Sequence, residues 1–180
     1  STPVTHENYL DGSVKGWEDL GKLSDEPVIT MEMERLERSL VTVKDTALGV
    51  YASVTSFFDG AYLAVGLSDF LRKTYMDLRF VGHLMDRLLD WHLQLIDGLA
   101  AYMDRLAFVF INDDVSMNDG LFLRPEVFKK LWVPRMQRML APFLRSGKVV
   151  TFHTDGLLRD VIAILVGLAF SAVHPVEPEP

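Results

Sequence analysis

Three apolar runs in this chain each end in ionisable residues, and that repeat restricts the possible fold more than any other feature. AFVFI over 107–111 leads into Asn112, Asp113 and Asp114; KVVTF over 148–152 leads into His153 and Asp155; AFSAV over 169–173 leads into His174 and Glu177. Short runs that are apolar almost throughout have the pattern of strands covered on both faces. Alternation of such strands with helices predicts an α/β fold with a parallel sheet. Parallel α/β folds gather their ligand sites at the carboxyl ends of the strands. The acidic and imidazole groups therefore fall where an enzyme of this class carries its reacting groups.

The intervening segments read as helices. Met33, Leu36, Leu40 and Val43 recur three or four apart between Glu and Arg residues, the spacing of an amphipathic helix over 32–43. ALGVYASV over 47–54 reads as a further buried strand. Ser68 is placed to cap a helix whose inner face carries Leu71, Tyr75 and Leu78. A second helix carries Val81, Leu84, Leu88, Trp91 and Leu95, with Asp77 marking the join. Pro125 suits the first turn of a helix with Val127, Phe128, Leu131, Trp132, Met139, Leu140 and Phe143 on its buried stripe and a kink at Pro134. A last helix runs from about Leu157 to Gly167. The chain reads as one partial domain over 1–180, with 1–30 a polar, loop-rich lead-in.

Composition narrows the partners. The formal net charge of −7 argues against a nucleic acid or an anionic lipid surface. The absence of cysteine removes disulfides and thiolate metal sites and fits a cytoplasmic location. STPVTHENYL over 1–10 is too polar for a signal peptide, and the longest apolar run, 161–170, is too short for a membrane span.

The run FINDDVSMNDGLFLRPEVFKKLWVPRMQRM over 110–139, FHTDG over 152–156 and HPVEP over 174–178 together resemble the uroporphyrinogen decarboxylase superfamily. GVYASVTSFFDGAYLAVG over 49–66 resembles the same family's strand and following loop, so that the likeness extends over 45–178. The superfamily contains the haem-pathway decarboxylase and the corrinoid-linked methyltransferases. The resemblance implies a parallel (β/α)8 TIM barrel with its active site at the strand C-termini. A whole barrel takes about 250 residues, and only about half of one is legible here. An open half-barrel exposes strand edges and apolar surface, so a second chain or further barrel segments would have to complete it.

The two chemistries of the family divide the residues differently. A decarboxylase would use Asp113 or Asp114 on the pyrrole nitrogens and Tyr62 to orient the porphyrinogen, without a cofactor. Its polycarboxylate substrate needs arginines, whereas this rim carries Asp113, Asp114, Asp155 and Glu177. The methyltransferases hold zinc through a histidine and a cysteine two apart, in the motif that HTDG over 153–156 matches. Here Asp155 stands at the cysteine position, and His153, Asp155 and Glu177 become the implied ligands, with water in an open fourth place. Carboxylates harden the site toward water or alkoxide activation. The leading reading is metal-assisted methyl transfer between a small methylated substrate and a corrinoid on a partner protein. Asp113 or Asp114 then serves as acid or base. Decarboxylation is the alternative, and a non-catalytic tetrapyrrole- or partner-binding remnant is the third.

Plainer roles compete at each position. His153 suits a structural imidazole, Asp155 a helix cap, Asp113 and Asp114 a solvated turn, and Tyr62 a packing aromatic. Glu177 also suits a rigid loop between prolines, and His174 is equally open. His83 and His92 read as helix residues, while the methionines, Trp91 and Trp132 read as packing.

Overall fold

The computed structural model describes residues 11–24 and 29–176. Four strands form one parallel sheet in the order β1 (Ala52–Thr55), β2 (Val109–Asn112), β5 (Val150–His153) and β6 (Ala172–His174). A small antiparallel pair, β3 (Ser116–Met117) and β4 (Gly120–Leu121), lies in the loop after β2. Helix α1 (Ile29–Val43) precedes β1. Helices α2 (Phe57–Val65), α3 (Leu67–Met76) and α4 (Leu78–Leu99) connect β1 to β2. Helix α5 (Pro125–Arg145) leads to β5, and a 3-10 turn with the short α6 (Ile162–Gly167) leads to β6. Every connection within the sheet is thus a helical crossover between parallel neighbours, the arrangement that the alternating sequence pattern predicts.

The sheet is covered on one face. Ala52, Val54, Val109, Ile111, Val150 and Phe152 point toward the helices and are buried. They meet Phe57, Phe58, Leu84, Phe128, Trp132 and Phe143 in a continuous core, where each large side chain contributes about 1.5–3 kcal/mol. The alternate residues, Ser53, Thr55, Ala172 and His174, are exposed, with Phe110, Asn112, Thr151 and His153 half-buried between them. The expectation of strands buried on both sides is corrected here. The second face carries its own aromatic row instead, Tyr51 stacked on Phe108 at 4.8 Å and Phe108 meeting Phe110 edge-on at 6.4 Å.

Local chemistry explains where the elements stop. Asp77 caps α4, its Oδ1 accepting from the Phe80 N–H at 3.0 Å while Oδ2 accepts from Trp17 Nε1 at 3.0 Å. Helix α3 starts after Gly66, whose positive φ of 93° turns the chain out of α2, so Ser68 sits inside the first turn and does not cap it. Tyr75, read as an inner residue, is exposed on α3, where Phe70 and Thr74 hold the buried side. Helix α5 takes Pro125 at its start and continues through Pro134, with Arg135 Nη1 donating to the Leu131 carbonyl at 2.6 Å. The chain over 11–24 is not all loop: a 3-10 helix, Trp17–Lys22, follows the buried Val14, whose N–H donates to the Ala64 carbonyl at 2.9 Å. Among the described residues no helix is long and apolar enough to cross a membrane.

Candidate functional site

Strand register brings the candidate residues to one rim. Thr55 pairs with Asn112, Asn112 with His153 and His153 with His174, so all four strands end in the same row. The loops that follow are stitched to one another in order. Asp113 Oδ1 accepts from the Asp59 N–H at 3.1 Å, and Asp59 Oδ1 accepts from the Asp114 N–H at 2.8 Å, which locks the first turn of α2 to the β2 loop. Asp114 Oδ1 accepts from the Asp155 N–H at 3.1 Å, and Thr154 Oγ1 accepts from the Val115 N–H at 3.0 Å, which joins the β2 loop to the β5 loop. The Thr154 N–H donates to the His174 carbonyl at 3.1 Å and closes the row.

The carboxylates differ sharply in environment. Asp113 is fully buried, and Trp132 Nε1 donates to its Oδ2 at 2.5 Å. Burial, and next the charge of Asp59, push its pKa well above the usual carboxylate range, against the opposing donors Trp132, the Asp59 N–H and Ser56. The Ser56 hydroxyl is itself buried and lies close by, but it makes no well-directed hydrogen bond. Asp59 is pushed up to about 7, chiefly by burial and then by the charge of Asp114, with the Asp114 N–H and the Tyr62 hydroxyl pulling the other way. Asp59 therefore carries a proton over part of the neutral range. Tyr62, a sequence candidate, is 1% exposed and reaches the cluster through this bond to Asp59.

Asp114, His153 and Asp155 form the outer part of the site. One ligand atom of each lies within 4.8 Å of the others. His153 Nε2 stands 3.9 Å from Asp114 Oδ1 and 3.8 Å from Asp155 Oδ1. A cation at about 2.0–2.2 Å from nitrogen and oxygen ligands needs donor separations of roughly 3–4 Å, and His153 Nε2 lies at that separation from each of the two carboxylate oxygens. A set of one imidazole and two carboxylates suits zinc or a harder first-row ion more than a thiolate-seeking one. Asp155 keeps its side chain 60% exposed and makes no helix cap, since the following 3-10 turn begins after Leu157 with no side-chain cap bond. Gly156 shapes this loop: its φ is 84°, and an added Cβ would lie 2.7 Å from the Met117 carbonyl carbon.

Of the sequence candidates, Asp113, Asp114, His153 and Asp155 come together, with Tyr62 behind them. Asp114, read as an acid or base, sits among the possible ligands, and Glu177 lies outside the described residues. Asp113 and Asp114 are no solvated turn, because one is buried and the other bonds the next loop. Asp59 was missed. It lies in the first turn of α2, four residues beyond β1, so the ionisable ending that marked the other strands is displaced and hidden in an apolar segment. His92 is buried with Nδ1 against the Leu88 carbonyl at 2.7 Å, and exposed His83 lies against Trp17, so neither belongs to the site.

No family model matches the sequence, and no curated protein matches it significantly. Among solved structures, a methyltransferase from Methanosarcina mazei superposes with a TM-score of 0.62 at 13% identity, over 77% of this chain. The chain spans 40% of that protein's length. The likeness concerns the fold, an α/β arrangement around a parallel four-stranded sheet consistent with part of a TIM-type barrel.

Proposed function

We propose that this chain forms part of a methyltransferase of the uroporphyrinogen decarboxylase superfamily, with Asp114, His153 and Asp155 holding a divalent cation. The convergence of those three side chains at the strand ends carries the reading. The methyltransferase neighbour supports it at the level of fold. Bound there, the cation supplies Lewis acidity toward an oxygen or nitrogen of a small methylated substrate.

The residues around it have separate tasks. Asp114 and Asp155 face each other across His153 and lower the cost of bringing a positive charge to the rim. Asp59, with a pKa raised to about 7, would give a proton to the substrate heteroatom, and a corrinoid on a partner protein would supply the methyl acceptor. Asp113, bonded to Trp132 and to the Asp59 backbone, fixes where that proton is presented.

Decarboxylation of a porphyrinogen is the second reading, and the raised pKa of Asp59, driven by its burial, favours it, because that enzyme also needs a proton-bearing acid. Against it, among the described residues no lysine or arginine pairs with Asp59, Asp113, Asp114 or Asp155, which leaves a polyanion opposed by like charge. The test is a paired assay on the purified full chain. Zinc-loaded protein is given methylated alcohols, amines and thiols with a reduced corrinoid, and metal-free protein is given uroporphyrinogen. Formation of methylcorrinoid that disappears in Asp59→Asn supports methyl transfer. Metal-free release of carbon dioxide from the porphyrinogen reverses the ranking.

A further inference from the structure

At the ends of β5 and β6 two imidazoles meet. His153 Nδ1 and His174 Nδ1 lie 2.9 Å apart, with ring centroids 5.2 Å apart and planes tilted by 30°. Two ring nitrogens at that distance share one hydrogen, because two lone pairs would repel and two N–H groups would collide. Phe110 packs against both rings, at 5.8 Å from His153 and 5.6 Å from His174, and limits their rotation. The shared hydrogen therefore determines what His153 presents on its opposite side.

Two arrangements are available to the neutral pair. When His174 donates, His153 accepts at Nδ1 and carries its own hydrogen on Nε2, which faces Asp114 Oδ1 and Asp155 Oδ1. An N–H directed at two carboxylates suits the rim without a cation. When His153 donates instead, its Nε2 becomes a lone pair between the same carboxylates. That form repels the oxygens alone but ligates a cation among them.

We infer that His174 is a positioning residue that selects the ligating tautomer of His153, and that cation entry switches the pair from the first arrangement to the second. The switch balances. The hydrogen on His153 Nε2 leaves to water as the cation takes that lone pair, and the Nδ1 hydrogen moves from His174 to His153 across the 2.9 Å contact. His174, whose residue is exposed, takes a proton from water at Nε2. The two rings keep their total of hydrogens and their charge.

This inference rests on the cation reading, and the test separates the two. Zinc ion is titrated into the full chain and into His174→Ala and His174→Asn, with affinity measured calorimetrically and the imidazole nitrogens of His153 followed by nitrogen-15 NMR. In the wild type, zinc should convert Nδ1 of His153 from an accepting to a hydrogen-bearing nitrogen. His174→Ala should weaken zinc binding by roughly 10- to 100-fold, the usual cost of losing an outer partner of a ligating histidine. His174→Asn, whose amide oxygen accepts the same hydrogen, should recover much of that loss. Zinc that binds wild type and His174→Ala equally, or that leaves Nδ1 of His153 without hydrogen, overturns this inference alone. Zinc that fails to bind the wild-type chain overturns it together with the cation reading.

Discussion

Trp132 donates its indole N–H to the Asp113 carboxylate at 2.5 Å, and both side chains are fully buried. The indole is fixed by stacking on Phe128 at 4.7 Å and by an edge contact with Phe152 at 5.6 Å. A core aromatic on α5 thus delivers a hydrogen-bond donor to the carboxyl end of β2. Replacement by Trp132→Phe keeps most of the packing and removes the donor. The carboxyl then loses one of the groups that offset its burial, and the chain should lose about 1–3 kcal/mol at neutral pH in urea unfolding. Unchanged stability would mean that the bond contributes nothing to holding the site.

The paired carboxyls give stability a pH dependence whose sign is fixed. Both Asp59 and Asp113 have folded pKa values raised above the ordinary value, about 3.9 in the unfolded chain. Each therefore stabilises the fold as the neutral acid. That contribution is fully present below about pH 4 and is lost as the pH rises, for Asp59 through about 7. Asp59→Asn removes its share of the slope. Relative to wild type, the variant should gain on the order of 2–4 kcal/mol between about pH 4 and about pH 8 in denaturant melts. A difference that does not move with pH would show that Asp59 is ionised throughout.

Gly156→Ala tests whether the loop after β5 is held where the site needs it. The φ of 84° disfavours any side chain, and the new Cβ would press on the Met117 carbonyl, which accepts from the Leu157 N–H at 2.9 Å. Loss of about 1–3 kcal/mol is expected, with weaker cation binding because Asp155 moves with the loop. Wild-type stability and zinc affinity together would contradict the tight contact.

The strand endings were legible because chemistry and position coincide there. Asp113, Asp114, His153 and Asp155 each follow an apolar run within a few residues, and the parallel register aligns those ends without further information. Asp59 was not legible because α2 begins directly after β1, so in sequence it stands between Phe57, Phe58 and Ala61 with no loop to announce it. The exposed face of the sheet was hidden for a related reason. Phe108 and Phe110 read as core by composition, yet outside the helix layer Phe108 stacks on Tyr51 and Phe110 meets the same ring edge-on. Tyr75 illustrates the limit of periodicity: its spacing suits the inner face, yet it lies under the Arg124 guanidinium, 4.1 Å from its ring centre, on the outside.

The central claim is that the ends of β2 and β5 build one cation site from Asp114, His153 and Asp155. Zinc binding by the purified full chain tests it most directly, measured by metal analysis and competition titration for wild type, Asp114→Asn, His153→Ala and the distant exposed control His83→Ala. One zinc per wild-type chain is predicted, retained in His83→Ala and weakened by roughly a hundredfold or more in the other two variants. Absence of zinc from the wild type, or equal binding by all four proteins, would contradict it.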